Sequence, residues 1–134
     1  MTTTTTTYAL LLWGDPALCT DLEAAFAAHD RFTQDCAVAG HEIVGGEELT
    51  AASTSRLLRV TPTGTEVVDG PYAETTEQLG GFYLIRTADP DALLRLAAPL
   101  VMDDGGTLEL RPVVAHEGAA EQGAAADVTA GVTA

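Results

Sequence analysis

The chain has 134 residues, 46% hydrophobic and 19% charged, which is enough to bury one core without disulfides or metal ions. Six arginines, no lysine and twenty acidic residues give a net charge of −14, which disfavours nucleic acid and anionic membranes as partners. Cys19 and Cys36 form no CxxC pair. We therefore expect no zinc site and two reduced thiols in a cytoplasmic protein, with a disulfide between them as the open alternative.

Both ends of the chain are low in complexity. Residues 1–7 are a methionine and six threonines, and we expect them to be flexible. Residues 116–134 are rich in alanine and glycine, and their few apolar side chains cannot offset the entropy of ordering, so we expect a disordered tail. The folded domain is predicted over 8–115. The apolar run YALLLW is too short for a signal peptide or a membrane span.

The first half of the domain predicts a strand, a helix and a second strand. The strand covers 8–13, and Gly14-Asp15-Pro16 ends it. Thr20 and Glu23 form a capping box for a helix that Gly40 should end. One helix face should hold Leu22, Phe26, His29, Thr33 and Cys36. The second strand is predicted over 41–44, closed by Gly45-Gly46.

The second half predicts a hairpin, a strand, a helix and a last strand. Segments 54–60 and 65–68 flank the turn Pro62-Thr63-Gly64. Thr75 and Gln78 predict one helical turn, and Gly80-Gly81 a sharp bend into a strand over 81–86. Asp89-Pro90-Asp91 should start a helix that Pro99 closes, and 107–114 is the last strand.

This order predicts an α+β fold of the ferredoxin-like type, in which two βαβ units surround a hairpin. The antiparallel sheet should carry both helices on one face. In the first strand, however, Leu10 and Leu12 point one way while Leu11 and Trp13 point the other. Helices cover only one side of such a sheet. We therefore predict a homodimer that packs sheet against sheet.

Three segments carry a family resemblance over about residues 8–114. They are DGPYAETTEQLGGFYLI at 69–85, GGTLELRPV at 105–113 and GGEEL at 45–49. Together they resemble the DGPF-domain family of the YCII-related superfamily. Tyr72 stands where the family name has Phe, and Thr76 where many members have Lys, so an anion contact from that lysine is absent here.

The resemblance implies a dimeric α+β barrel. Related barrels include a dehydrochlorinase, muconolactone isomerase and antibiotic-synthesis monooxygenases. They take small, often aromatic molecules in the cleft between helices and sheet, frequently without a cofactor. DGPF genes often neighbour genes for extracytoplasmic-function sigma factors, which implies a regulatory partner of that type.

Three residues are candidates for acid–base chemistry. Asp69 begins a turn and would need burial to act as a general base; the turn role is the competing interpretation. His29 lies on the apolar helix face, where it is either a hydrogen-bonded packing residue or a proton-transfer group. Other superfamily members carry a histidine at a similar place. Glu47 would pair with Asp69 or be a solvated strand end.

Five residues are candidate ligand contacts: Tyr72, Glu74, Arg59, Arg111 and Trp13. The two arginines would bind an anion or pair with acids. No HExxH or GxGxxG motif is present, and we assign no metal and no cofactor. The functional hypothesis is a barrel that binds a small aromatic or carbonyl compound, with or without lyase or isomerase activity. The alternatives are a non-catalytic regulatory or ligand-sensing dimer and a purely structural dimer.

Overall fold

A computed structural model of the chain describes residues 4–72, 75–102 and 105–116. The elements are β1 (Thr6–Gly14), α1 (Leu22–Ala39), β2 (Glu42–Glu48), β3 (Arg56–Thr61), β4 (Gly64–Asp69), β5 (Gln78–Thr87), α2 (Pro90–Ala97) and β6 (Thr107–Pro112). None of the helices within these ranges is long and apolar enough to cross a lipid bilayer.

The main sheet has four strands in the order β2-β5-β1-β6, and every neighbouring pair is antiparallel. This is the strand order of a ferredoxin-like fold, which confirms the predicted α+β class. The predicted hairpin is also confirmed, since β3 and β4 pair with each other in a separate two-stranded sheet.

The core lies between one face of the main sheet and the two helices. Leu10 of β1, Ile85 of β5 and Leu93 of α2 are completely buried, and they pack with Phe32, Cys36 and Ala97. Because side chains alternate along a strand, Leu11, Phe82 and Leu84 point to the opposite face of the sheet. The two helices thus cover the face of Leu10 and leave the face of Leu11 to other neighbours.

Both helices start at an aspartate whose carboxylate accepts a hydrogen bond from a main-chain N–H. Asp89 accepts from Ala92 at 3.1 Å, as predicted. For α1 the predicted cap is wrong, because Asp21, not Thr20, accepts from the N–H of Ala24 at 3.0 Å. The end of α1 is confirmed, since Gly40 takes the left-handed conformation at φ 86°.

The paired glycines lie inside strands rather than at their ends, which corrects two predictions. β2 runs through Gly45 and Gly46 to Glu48, and β5 begins at Gln78, before Gly80 and Gly81. A Cβ at Gly46 would lie 2.6 Å from a carbonyl oxygen of β5, and one at Gly81 would lie 3.1 Å from a carbonyl oxygen of β2. The glycines therefore allow β2 and β5 to approach closely.

The helical turn predicted at Thr75 is absent from the described residues 75–78. The Thr75 hydroxyl donates instead to the carbonyl of Glu77 at 2.6 Å, and the chain bends directly into β5. A short side-chain to main-chain hydrogen bond has replaced the predicted cap, since threonine satisfies both geometries.

The predicted apolar face of α1 is only half correct. Cys36 is buried, together with Phe32, which the spacing argument had not included. Leu22 and Phe26 are 64% and 59% exposed. The reason is that the first half of α1 lies over an opening, while its second half packs on the sheet.

Candidate functional site

A cavity of about 600 Å³ lies between the first half of α1 and the ends of β1, β2 and β5. Its volume is in the range of sites that hold a drug-sized ligand. The lining is largely apolar and includes Leu22 and Phe26 of α1. These two side chains are therefore exposed because they form part of the cavity wall.

His29 and Tyr83 supply a polar pair on the cavity wall. Nδ1 of His29 on α1 lies 2.6 Å from the hydroxyl oxygen of Tyr83 on β5, and both side chains are half-buried. The ring of Tyr83 also packs against that of buried Phe32, with centroids 5.2 Å apart. The helix and the sheet thus hold the pair from both sides.

Burial shifts the pKa of both members of the pair away from the charged form. It lowers the pKa of His29 below its ordinary 6.5, although Glu48 and Asp30 oppose the shift by their charge. Burial likewise raises the pKa of Tyr83, with smaller contributions from Cys36 and Asp30. The two groups are therefore uncharged at neutral pH, the form in which an imidazole can donate and accept hydrogen bonds.

Two glutamates border the cavity at the end of β2. Glu47 and Glu48 are both exposed, and they pair in register with Phe82 and Gly81 of β5. They reach this position because β2 continues through its glycines instead of stopping there. Because paired residues share a face, the side chain of Glu47 points with Phe82 to the side without helices, whereas Glu48 lies on the side of His29 and its charge acts on that residue. Glu47 thus borders the cavity as predicted, but the carboxylate on the side of His29 is that of Glu48.

Trp13 is the third predicted residue at the cavity. It follows an irregularity in the pairing of β1 with β5, between Leu12 and Trp13. Its indole N–H donates to a carboxylate oxygen of Glu109 on β6 at 3.1 Å. Because Glu109 pairs with Leu11, the hydrogen bond holds the indole on the side of Leu11, and Trp13 borders the cavity at the end of the sheet.

The remaining candidates lie elsewhere in the chain. Asp69 and Arg59 are exposed on the β3–β4 hairpin, and Tyr72 just after it is 82% exposed. Arg111 is exposed on β6 and forms an ion pair with Glu109. None of these four is among the described residues that line the cavity. Glu74 lies outside the described residues.

Sequence reasoning did not identify Tyr83 as a site residue. Side chains alternate along β5, so Tyr83 lies on the same face as buried Ile85, and its orientation towards the helices could be predicted from the sequence. Its hydrogen bond to His29 could not be predicted, because His29 is 54 residues away in the chain. Within the described residues, His, Cys, Asp and Glu form no group of three that could hold a metal ion.

Comparison with known proteins gives a family but no activity. The family model described as YCII-related domain matches residues 6–117. An uncharacterised protein of Rhizobium meliloti (strain 1021) is 44% identical over 70 residues, which cover 51% of this chain and 54% of that protein. The match thus spans about half the length of this relative.

Proposed function

Because the chain belongs to the YCII-related domain family, we propose that it binds a small molecule in the cavity between α1 and the sheet. The observation that carries the proposal is the hydrogen-bonded pair of His29 and Tyr83 in the wall of this cavity. Uncharged, half-buried polar groups in a largely apolar cavity are typical of ligand sites.

The lining favours a ligand with an apolar, ring-sized body. Phe26 and Leu22 are more than half exposed, and a ligand between them would remove apolar surface from water at about 25 cal/mol per Å². His29 and Glu48, which lies on the same side of the sheet, are the groups that we propose to contact, or exchange a proton with, a carbonyl or phenolic oxygen. This is the chemistry of a cofactor-independent lyase or isomerase.

The binding proposal is tested by titrating ¹⁵N-labelled protein with acetophenone, phenol and cyclohexane up to about 1 mM, the upper end of ordinary substrate affinities. We expect saturable shifts of the amides of Phe26, His29 and Gly46. Phe26→Ala should weaken binding, whereas Tyr72→Ala, a matched loss of an exposed ring outside the cavity, should not. Shifts confined to the hairpin, or none, would contradict the proposal.

A second candidate function is ligand sensing without catalysis. It is favoured by the position of Asp69, which is exposed on the hairpin instead of facing the cavity. Conversion of a bound compound, followed by mass spectrometry, decides between the two functions. A sensor returns the ligand unchanged, and an enzyme loses turnover on His29→Ala. A sigma-factor partner remains a prediction.

We further propose that the chain forms a homodimer through the helix-free face of its sheet. The centre of this face is apolar and contains Leu11, Phe82 and Leu84. At its edges Glu42 pairs with Arg86 at 3.7 Å, and Glu109 pairs with Arg111. Charges that are already paired resist burial less than free ones, so this face suits packing against a second sheet about 10 Å away.

The dimer is tested by light scattering after gel filtration, where we expect the mass of two chains. Leu84→Glu should give single chains, while Val38→Glu, on an 89% exposed position of α1, should not. A wild-type mass of one chain at micromolar concentration would refute the dimer.

Cys19 and Cys36 are unpaired in the structure, which supports the reducing cytoplasm as the proposed location.

A further inference from the structure

We propose that Tyr83 is a positioning residue that holds His29 in the Nε2–H tautomer, so that the cavity presents an N–H donor and selects neutral carbonyl compounds. The inference rests on the proposed function, since it names the ligand chemistry of the same cavity. It is carried by the geometry of the pair and by the negative charge in the cavity wall.

The acid–base chemistry of the two groups assigns the donor. A phenol is a stronger acid than a neutral imidazole N–H, and a bare imidazole nitrogen is a stronger base than a phenol oxygen, so O–H···N is favoured over N–H···O. Nδ1 of His29 lies 2.6 Å from the hydroxyl oxygen of Tyr83, within hydrogen-bond distance. We therefore assign Tyr83 as the donor and Nδ1 of His29 as the acceptor.

The accepting nitrogen determines where the imidazole carries its own hydrogen. A neutral imidazole has one N–H and one bare nitrogen, so a bare Nδ1 requires hydrogen on Nε2. Burial supports this state, because it lowers the pKa of His29 and raises that of Tyr83. Since Nδ1 is occupied, Nε2–H is the group that His29 offers to a ligand.

Packing and strand pairing restrict the position of the Tyr83 side chain. Its ring packs on Phe32, which is only 3% exposed, and its main chain is paired with Leu10 on one side and Gly46 on the other. On the helix side, the hydroxyl of Thr33 donates to the carbonyl of His29 at 3.0 Å. The donor is thus pre-organised before a ligand arrives.

The negative charge in the cavity wall then determines which type of oxygen acceptor binds best. A ketone, a carboxylate or a phenolate would each accept from Nε2–H, but Glu48 lines the same cavity on the side of His29, and its charge acts on that residue. This charge, within a chain of net charge −14, opposes an anionic ligand. A neutral carbonyl on an apolar body satisfies the donor without this repulsion.

The tautomer is tested by long-range ¹H–¹⁵N correlation spectra of the full chain at pH 7.5. We expect one bare Nδ1 and one protonated Nε2 for His29 in the wild type. Tyr83→Phe, which keeps the ring and removes the hydroxyl, should give a mixture of both tautomers, and the spectrum of buried His41 in the same sample should not change. A protonated Nδ1 in the wild type would overturn the assignment.

The ligand class is tested with acetophenone and benzoate, which share a ring and differ in charge. We expect acetophenone to bind at least about tenfold more tightly, and about twofold more weakly to Tyr83→Phe if its tautomers become equally populated. Equal affinities would overturn the carbonyl preference while leaving the proposed binding site intact. Binding of neither compound, with the expected tautomer, would instead refute the proposed function.

Discussion

Thr87 connects the end of β5 to both helices through one hydroxyl group. It is 2% exposed. Its oxygen accepts from the N–H of Asp89 at the start of α2 at 3.0 Å, and it lies 2.8 Å from Nδ1 of His41, the residue that follows α1 and Gly40. Thr87→Val keeps the shape of the side chain and removes both contacts.

The loss of folding free energy depends on how deeply each group that loses its hydrogen-bond partner is buried. His41 is only 5% exposed, so its nitrogen loses its partner without access to water, at about 1–3 kcal/mol. Asp89 is exposed, and water can solvate its N–H at a lower cost. We expect a total loss of about 2–3 kcal/mol, or about 4 °C in Tm for each kcal/mol.

Urea unfolding followed by the fluorescence of Trp13, the only tryptophan, measures this loss at a fixed protein concentration. Thr87→Ser is the matched control, since it keeps the hydroxyl and loses one methyl group, at about 1 kcal/mol. Thr87→Val should therefore be less stable than Thr87→Ser. The reasoning is refuted if Thr87→Val unfolds at the wild-type urea concentration or is the more stable of the two.

Three further predictions concern the cavity and the core. Because burial lowers the pKa of His29, the unfolded chain binds that proton more readily, so this residue disfavours folding as the pH falls below 6.5. In an NMR titration, the midpoint of its imidazole chemical shifts should lie at lower pH in the folded chain than in urea, and a higher midpoint would contradict this. Gly46→Ala should destabilise the fold by more than Gly64→Ala, because both positions have positive φ but only the first would bring a Cβ against a neighbouring strand, and denaturant midpoints compare them. Burial raises the pKa of Cys36 to about 11, so at pH 8 iodoacetamide should alkylate Cys19 and spare Cys36, as peptide mass spectrometry would show, and equal labelling would refute this.

Elements whose signals are local could be predicted from the sequence. The start of α2 was readable because Asp89 caps the helix with its own side chain and Pro90 fits the first turn. The β3–β4 hairpin was readable from three consecutive turn residues. Each of these signals acts within a few positions, so neighbours in space are also neighbours in the sequence.

The glycine pairs show where local reading fails. Gly45-Gly46 and Gly80-Gly81 are equally suited to a turn and to close contact between strands. Only the pairing of β2 with β5 decides between these roles. The choice matters for the cavity, because the extension of β2 brings Glu48 to its wall on the side of His29.

The sequence by itself determined the family, the order of the elements and a surplus of apolar strand surface, since these depend on composition and on short periodic patterns. The tertiary structure alone decided which polar groups meet. His29 was a candidate from its helix face, but its partner Tyr83 and the shared cavity arise from packing between elements distant in the chain. Hydrogen bonds of this kind depend on distances of a few tenths of an ångström, which no one-dimensional pattern specifies.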